Sequence, residues 1–261
     1  GEWVLLNGNQ TALMFVYYLI TRWKELGKIN GKEYIVKTIV TTETIKTIAE
    51  RNGVEMYDVY TGFKWIANVM RENEGKKNYI GGGEESYGFL CEDFVRDKDA
   101  VSACVILAEI AAWAKDQGLS LYQLLQKIYV EYGFSKEKGI SVVKKGKSGA
   151  EEIEAMMKKF RENPLTEIAG SKVTYFYDYS TLKGKDYAEN ETVTLDMPTT
   201  SNVLQYFTED NTKVSIRPSG TEPKIKFYCE VHSKVKSIDE LPEAEKAAEE
   251  KINQIKASLG I

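Results

Sequence analysis

The sequence predicts an α/β protein: a mixed-sheet α/β/α domain followed by a smaller α+β domain. Three observations predict it. Over the first half, β-branched alternating runs take turns with apolar residues at helical spacing. Past Gly133 the composition shifts to a Lys-rich, Gly-punctuated stretch. Beyond that, β-like runs lie between two helical patterns. The 261 residues exceed what one hydrophobic core usually needs, so two domains are expected, residues 1–133 and 134–261.

The elements follow in order. Residues 10–26 carry Leu13, Val16, Tyr17, Ile20 and Trp23 at helical spacing and stop near Gly27. Residues 34–40 alternate and read as a strand. Thr42-Glu43-Thr44-Ile45 opens a short helix that ends at Asn52-Gly53. Residues 54–59 read as a strand and 63–72 as a helix. Tyr79-Ile80 leads into Gly81-Gly82-Gly83, and residues 87–91 return as a strand. Helices are expected over 99–115 and 120–132, the second with Ser120 as its N-cap.

In the second half, Lys136, Lys138, Lys144, Lys145 and Lys147 mark a junction. Ser148-Gly149-Ala150-Glu151 reads as a capping box for a helix whose buried face is Ile153, Met156, Met157 and Phe160. Asn163-Pro164 ends it. Strands are expected over 172–177, 203–207, 213–216 and 224–231, and a Lys/Glu-rich helix runs from Pro242 to Leu259.

Composition excludes several function classes. Hydrophobic residues make 43% and charged residues 28%, with a net charge of -4. Broad nucleic-acid binding usually needs a basic face, so nucleic acid is not expected as a partner. The three cysteines, Cys91, Cys104 and Cys229, are scattered without a CxxC pair, which suggests neither zinc nor a disulfide framework. No apolar run is long enough for a bilayer and no leader pattern opens the chain, so no membrane partner and a cytoplasmic setting are expected. His232 is the only histidine; it sits in a strand-like stretch and reads as structural. Gly146-Lys147-Ser148 resembles the end of a P-loop, but Ser141 stands where that motif needs glycine.

Three segments carry chemistry. In Arg217-Pro218-Ser219-Gly220-Thr221-Glu222-Pro223-Lys224, Arg217 offers a bidentate fork for phosphate. Ser219 and Thr221 add hydroxyls, Gly220 lets backbone amides turn inward, and the prolines stiffen the loop. A Gly/Pro hairpin with a surface arginine fits the same letters. In Gly81-Gly82-Gly83-Glu84-Glu85-Ser86-Tyr87-Gly88-Phe89 the paired carboxylates Glu84 and Glu85 would repel phosphate, whereas Glu84 and Ser86 together suit sugar hydroxyls. A tight turn with solvated acids is the plain alternative. In Thr61-Gly62-Phe63-Lys64, Lys64 enters the first turn of a helix, unfavourable unless an anion is near; an ordinary solvated lysine is the alternative there.

Together the three segments, in this order, resemble the α-D-phosphohexomutase superfamily of phosphoglucomutases and phosphomannomutases. Residues 217–224 are similar to the phosphate loop of its fourth domain. Gly83-Glu84-Glu85-Ser86 is similar to the sugar-recognition loop of its third, and Thr61 to Lys64 to a third-domain active-site segment. The resemblance spans essentially the whole chain, and the Glu-Glu-Ser version looks more like phosphoglucomutases. It implies a hexose 1-phosphate and 6-phosphate interconversion through a phosphoserine enzyme and a bisphosphosugar. Gly83, Glu84 and Ser86 would hold the sugar; Arg217, Ser219, Gly220 and Thr221 would hold the distal phosphate; Lys64 would support the reacting end. The family's phosphoserine loop and its Asp-Gly-Asp-Gly-Asp-Arg magnesium loop are absent from the 261 residues. Mg2+ and a bisphosphosugar are therefore expected for a full-length enzyme, and no cofactor on this chain alone. The implied partners are glucose or mannose phosphates and N-terminal domains of the same protein. The chain alone is expected to be inactive. A stand-alone phosphosugar-binding or regulatory module is the alternative, and the choice among glucose, mannose and pentose phosphates stays open.

Overall fold

Every residue of β1 (Glu33–Thr38) is buried, as a parallel strand covered on both faces requires. In the computed structural model, which describes residues 3–144, 146–220 and 222–261 without the Lys147 side chain, β1 is the centre of a four-stranded sheet. β2 (Glu55–Val59) and β3 (Asn78–Gly83) run parallel to it on either side. β4 (Phe89–Cys91) pairs antiparallel with β3, giving the order β2-β1-β3-β4. This is the mixed sheet the sequence predicts.

Helices cover both faces. On one, α3 (Phe63–Asn73) sets Phe63, Ile66 and Met70 against Tyr34, Val36 and Tyr79. On the other lie α1 (Gly8–Glu25), α2 (Thr44–Arg51) and α5 (Leu121–Tyr132). α4 (Ala100–Asp116) packs on β4 and α1. Ser120 caps α5 as expected, its hydroxyl accepting from the Gln123 amide while the Gln123 side chain accepts from the Ser120 amide. Asn7 and Gln10 make the same reciprocal pair at α1.

The chain divides into two compact units, Gly1–Phe134 with Lys234–Leu241, and Ser135–Ser233 with Pro242–Ile261. The segment that returns to the first unit holds a short 3-10 turn, Ile238–Glu240, against α5.

The second unit is built on one sheet. Its strands are β5 (Phe134–Val143), β7 (Ser171–Asp178), β8 (Lys183–Asp186), β9 (Glu191–Thr194), β10 (Leu204–Thr208), β11 (Lys213–Pro218) and β12 (Lys224–Ser233), with β6 (Glu167–Ile168) paired to β7. They lie in the order β5-β12-β11-β10-β7-β8-β9. α6 (Gly146–Glu162) packs on β11 and β12, with Phe160 against Phe227 and the Tyr206 hydroxyl donating to the Phe160 carbonyl. Ile153, Met157 and Phe160 are its buried residues, and α7 (Leu241–Leu259) buries Ala248, Ile252 and Ile255. Helices with an antiparallel sheet make the predicted α+β unit.

Three local expectations are corrected. The Lys-rich stretch read as a junction is mostly β5, whose residues beyond Ser135 are half-buried or exposed. At the end of the sheet a strand tolerates lysines because only one side is paired. Ser148 is not an N-cap: the helix begins at Gly146, which has φ +77, and Gly149 sits where a Cβ would come within 2.4 Å of the Lys144 carbonyl oxygen. β8 and β9 went unread because Lys183-Gly-Lys-Asp186 and Glu191-Thr-Val-Thr194 lack apolar alternation.

One face of the second sheet carries buried charge. Lys213 and Glu230, directly opposite each other on β11 and β12, are both almost fully buried and pair at 2.9 Å. His232 Nε2 lies 2.7 Å from the other Glu230 oxygen. Burial opposes ionisation of Glu230, yet Lys213 and His232 hold its carboxyl below the usual range. Burial likewise opposes the imidazolium, but Glu230, with Glu137 behind it, raises the His232 pKa above its ordinary 6.5. His232 is thus structural, as the sequence suggested.

Two outcomes follow. Lys213→Met should cost about 3–5 kcal/mol in urea unfolding, because Glu230 is left buried with half its partners, whereas Lys213→Met with Glu230→Leu should recover much of that. A raised His232 pKa adds stability that is complete below 6.5 and is lost as pH rises through the folded value. Unfolding free energy should therefore fall across that window, and His232→Gln should flatten the fall.

Candidate functional site

The parallel strands of the first unit end together at Thr38, Val59 and Gly83. β2 and β3 flank β1, so the chain reverses its direction of travel across the sheet at β1. Open α/β sheets bind ligands at the carboxyl ends of strands beside such a switch point. The Thr61–Lys64 and Gly83–Ser86 segments both leave the sheet there.

A hydrogen bond joins them: the Gly62 amide donates to Glu84 Oε1 at 2.8 Å. Gly62 is the N-cap of α3 with φ 111 and ψ 122, a backbone region that L side chains rarely adopt. It has no capping side chain of its own, and the carboxylate arriving from the neighbouring loop accepts from the N-cap amide, as the N3 side chain of a capping box does, at the positive end of the helix. The Glu84 amide donates to the Gly88 carbonyl at 2.8 Å and closes the turn. The turn in turn packs on the start of α1, where a Cβ on Gly8 would sit 1.9 Å from the Glu85 carbonyl oxygen.

The three glycines before Glu84 belong to a buried strand. A Cβ on Gly82 would lie 2.2 Å from the Val36 carbonyl oxygen, and one on Gly83 would lie 2.5 Å from that of Gly88. They let β3 and the turn approach their neighbours closely. Ser86 is exposed at the tip, beside Tyr87, whose hydroxyl donates to the Leu6 carbonyl at 3.0 Å. Lys64 is exposed, its Nζ 5.0 Å above the Trp65 ring.

Beneath this edge lies Lys37, 1% exposed, whose Nζ reaches Asp58 at 2.6 Å, Glu43 at 2.9 Å and the Thr41 carbonyl at 3.4 Å. It ties the β2 end to the connection that follows β1.

In the second unit, Arg217 stands near the end of β11, directly opposite Lys226 on β12. Like charges opposite one another across strands repel, so this pair is primed for an anion. Among the described residues no hydrogen bond or ion pair holds the Arg217 guanidinium. The hairpin between them is closed by Ser219 N–H to the Lys224 carbonyl at 2.8 Å and Lys224 N–H to the Glu222 carbonyl at 2.7 Å. The Lys144 amide donates to the Pro223 carbonyl at 2.9 Å and fastens it to the end of β5. Gly220 is exposed and opens onto empty space. Thr221 lies outside the described residues. Lys224 pairs with Glu222 and holds its carboxyl below the usual range.

Of the residues named from sequence, Glu84 is brought against the Thr61–Lys64 segment, while Arg217, Ser219 and Gly220 share one hairpin. Sequence reasoning did not single out Lys98 or Lys226, which the structure sets beside these segments. A Cβ on Gly88 would lie 3.0 Å from Lys98 Cδ and 3.1 Å from Glu84 Oε2, and Lys98 Nζ lies 5.8 Å over the Phe63 ring. Lys98 was hidden in the charged lead-in Arg96-Asp97-Lys98-Asp99. Lys226 could have been found by counting across the hairpin from Arg217.

Comparison with known proteins relates both units to one family. A family model described as phosphoglucomutase/phosphomannomutase, alpha/beta/alpha domain III, matches residues 7–132, and one described as the C-terminal domain of the same family matches residues 141–248. A phosphoglucomutase of Staphylococcus aureus (strain bovine RF122 / ET3-1) is 37% identical over 228 residues, 87% of this chain and 40% of the relative. One of Staphylococcus haemolyticus is 33% identical over 232 residues, 89% of this chain and 41% of the relative. The chain thus spans about 40% of the length of these relatives. The crystal structure of pp63/parafusin from Paramecium, in its open form, superposes with TM-score 0.57 at 17% identity over 90% of this chain and 38% of that one. A putative phosphomannomutase from Thermus thermophilus gives 0.56 at 18% identity over 93% and 41%. At such identities these two structures speak for the fold.

Gly82→Ala should cost roughly 3 kcal/mol or more, since the added methyl meets the backbone of β1 rather than a movable side chain. Urea unfolding of the variant measures it. Gly220→Ala, in open space, should cost under about 1 kcal/mol.

Proposed function

The chain belongs to the phosphoglucomutase/phosphomannomutase family, as its α/β/α domain III and its C-terminal domain, and on that premise we propose that it is the substrate-holding half of a phosphohexomutase. The reaction of the longer protein is the interconversion of a hexose 1-phosphate and 6-phosphate, with glucose as the leading substrate, through a phosphoserine enzyme and a bisphosphosugar. Residues 1–133 supply the sugar-recognition loop and 134–261 the phosphate loop.

The observation that carries this reading is the Gly62–Glu84 bond at the switch point. It fixes one carboxylate oxygen and leaves Oε2 to accept from a sugar hydroxyl, a division that gives the carboxylate one orientation. Ser86, at the exposed tip, adds a hydroxyl that can donate or accept. Gly83 lets the backbone pass close enough for both to face the ligand. Lys64 and Lys98 offer positive charge at the same edge for the reacting phosphoryl group. In the other unit, Arg217 and Lys226 supply the cationic pair for the distal phosphate, with Ser219, Gly220 and Thr221 closing around it. Binding that phosphate would hold the sugar for in-line transfer.

Magnesium in this family neutralises phosphoryl charge. Among the described residues no three or more His, Cys, Asp or Glu side chains are grouped to hold a metal ion. The described residues do not fit that ion. With neither a phosphoserine loop nor a magnesium loop in the sequence, the chain alone should not turn over glucose 1-phosphate.

The test is an amide NMR titration of this chain with glucose 6-phosphate and glucose 1,6-bisphosphate. Salt-sensitive shifts are expected at residues 217–226 and 84–88. Arg217→Ala should weaken the first set by about 1.5–3 kcal/mol, the worth of hydrogen bonds to charged groups. Glu84→Gln and Gly88→Ala should attenuate the second set and spare binding of inorganic phosphate. Shifts that ignore Arg217→Ala, or turnover by the chain alone, would overturn the assignment.

A further inference from the structure

α4 is apolar on both its inner and its outer side. Ile110 and Ala114 are its buried residues, and Trp113 anchors it against Tyr17 and Tyr18. Its outer side presents Val101, 73% exposed, and Val105, 60% exposed. Cys104, Ala108 and Ala112 are exposed as well. Each of these five lies three or four residues from another, so they form one stripe along the helix. Single exposed apolar residues are ordinary, but a continuous apolar face on a helix marks a contact surface. The stripe itself carries no charge, so its partner must be apolar there. No described helix is long and apolar enough to cross a membrane.

Two observations identify the occupant. The relatives carry some 60% of their length outside the part this chain matches, and that part is domain III with the C-terminal domain. The chain also enters the first unit beside the start of α4. Leu6 is bonded to Tyr87, and two residues on from Tyr87 the Phe89 carbonyl accepts from the amide of Asp99, the N-cap of α4. A domain joined just ahead of Leu6 is therefore tethered within a short reach of Val101, which raises its effective concentration there.

We propose that the Val101–Cys104–Val105–Ala108–Ala112 stripe is the docking surface for the domain that precedes domain III in the longer protein. This rests on the reading that the chain is part of a longer mutase.

Cys104 makes the proposal measurable. Cys91 and Cys229 are buried, and burial pushes each thiol up to about 12; Cys104 is exposed in the middle of the stripe. A maleimide under native conditions therefore reads Cys104. Its labelling rate is compared between this chain and the longer protein expressed with the coding sequence that lies in frame upstream. Labelling should be at least about tenfold slower in the longer protein. Ala108→Glu should restore the fast rate there, while the same change in the short chain leaves its circular dichroism and melting unaltered. Equal rates in the two proteins would overturn the proposal. So would protection in the short chain that grows with protein concentration, which assigns the stripe to a second copy, or an upstream sequence that encodes no domain. Mutase activity of the longer protein is assayed alongside. An active enzyme with freely labelled Cys104 defeats the docking surface alone, and an inactive one with protected Cys104 defeats the functional reading alone.

Discussion

The ligand edge of the first unit depends on one donor and one acceptor. The Gly62 amide, at the open N-terminus of α3, has no capping side chain of its own, and Glu84 from the adjacent loop supplies the missing oxygen at 2.8 Å. A carboxylate placed there is favoured by the helix dipole as well as by the bond. Loops that follow different strands are otherwise independent, and each would have to be ordered separately on binding. This bond orders them beforehand, so less conformational entropy remains to be lost when a ligand arrives. The close backbone approaches at Gly8, Gly82 and Gly83 serve the same end, because each removes a side chain that would hold the turn away from the sheet.

The second unit reaches its candidate site by a different route. Charge is placed on one face of β11 and β12, and the residues there differ in how far they are compensated. Lys213 and Glu230, deep in the sheet, meet as an opposite pair. Two register steps from Lys213, Ser215 bonds to Gln205, which bonds to Tyr179. A further two steps bring Arg217 opposite Lys226, where both charges have the same sign. Along one strand the cross-strand pairing thus passes from opposite charges to like charges. The like-charged end coincides with a hairpin held by its own backbone bonds and by Lys144.

Much of this was legible in the sequence. The helical faces of α1, α3, α6 and α7 and the strand β1 carry periodic apolar residues because each buries one stripe or two full faces, and burial is what periodicity records. β5, β8 and β9 were not legible, since half-exposed strands are held by pairing rather than by side-chain burial. The candidate loops were legible as letters but not as geometry. Glu84 could be suspected, while its tie to Gly62 is a contact between residues 22 positions apart. Lys98 and Lys226 join their sites through a turn and a hairpin register, and neither leaves a local pattern. Glycine was the ambiguous letter: Gly81 to Gly83 suggested a loop, whereas they are strand residues selected by backbone proximity.

The return of Lys234–Leu241 to the first unit has a bearing on how the protein is made. The chain leaves that unit after Phe134 and re-enters it only when the strands of the second sheet have all been traversed. On the ribosome, the surface of α5 that receives the Ile238–Glu240 turn must wait for about a hundred residues of synthesis before its cover emerges. The first unit is therefore begun first and finished second.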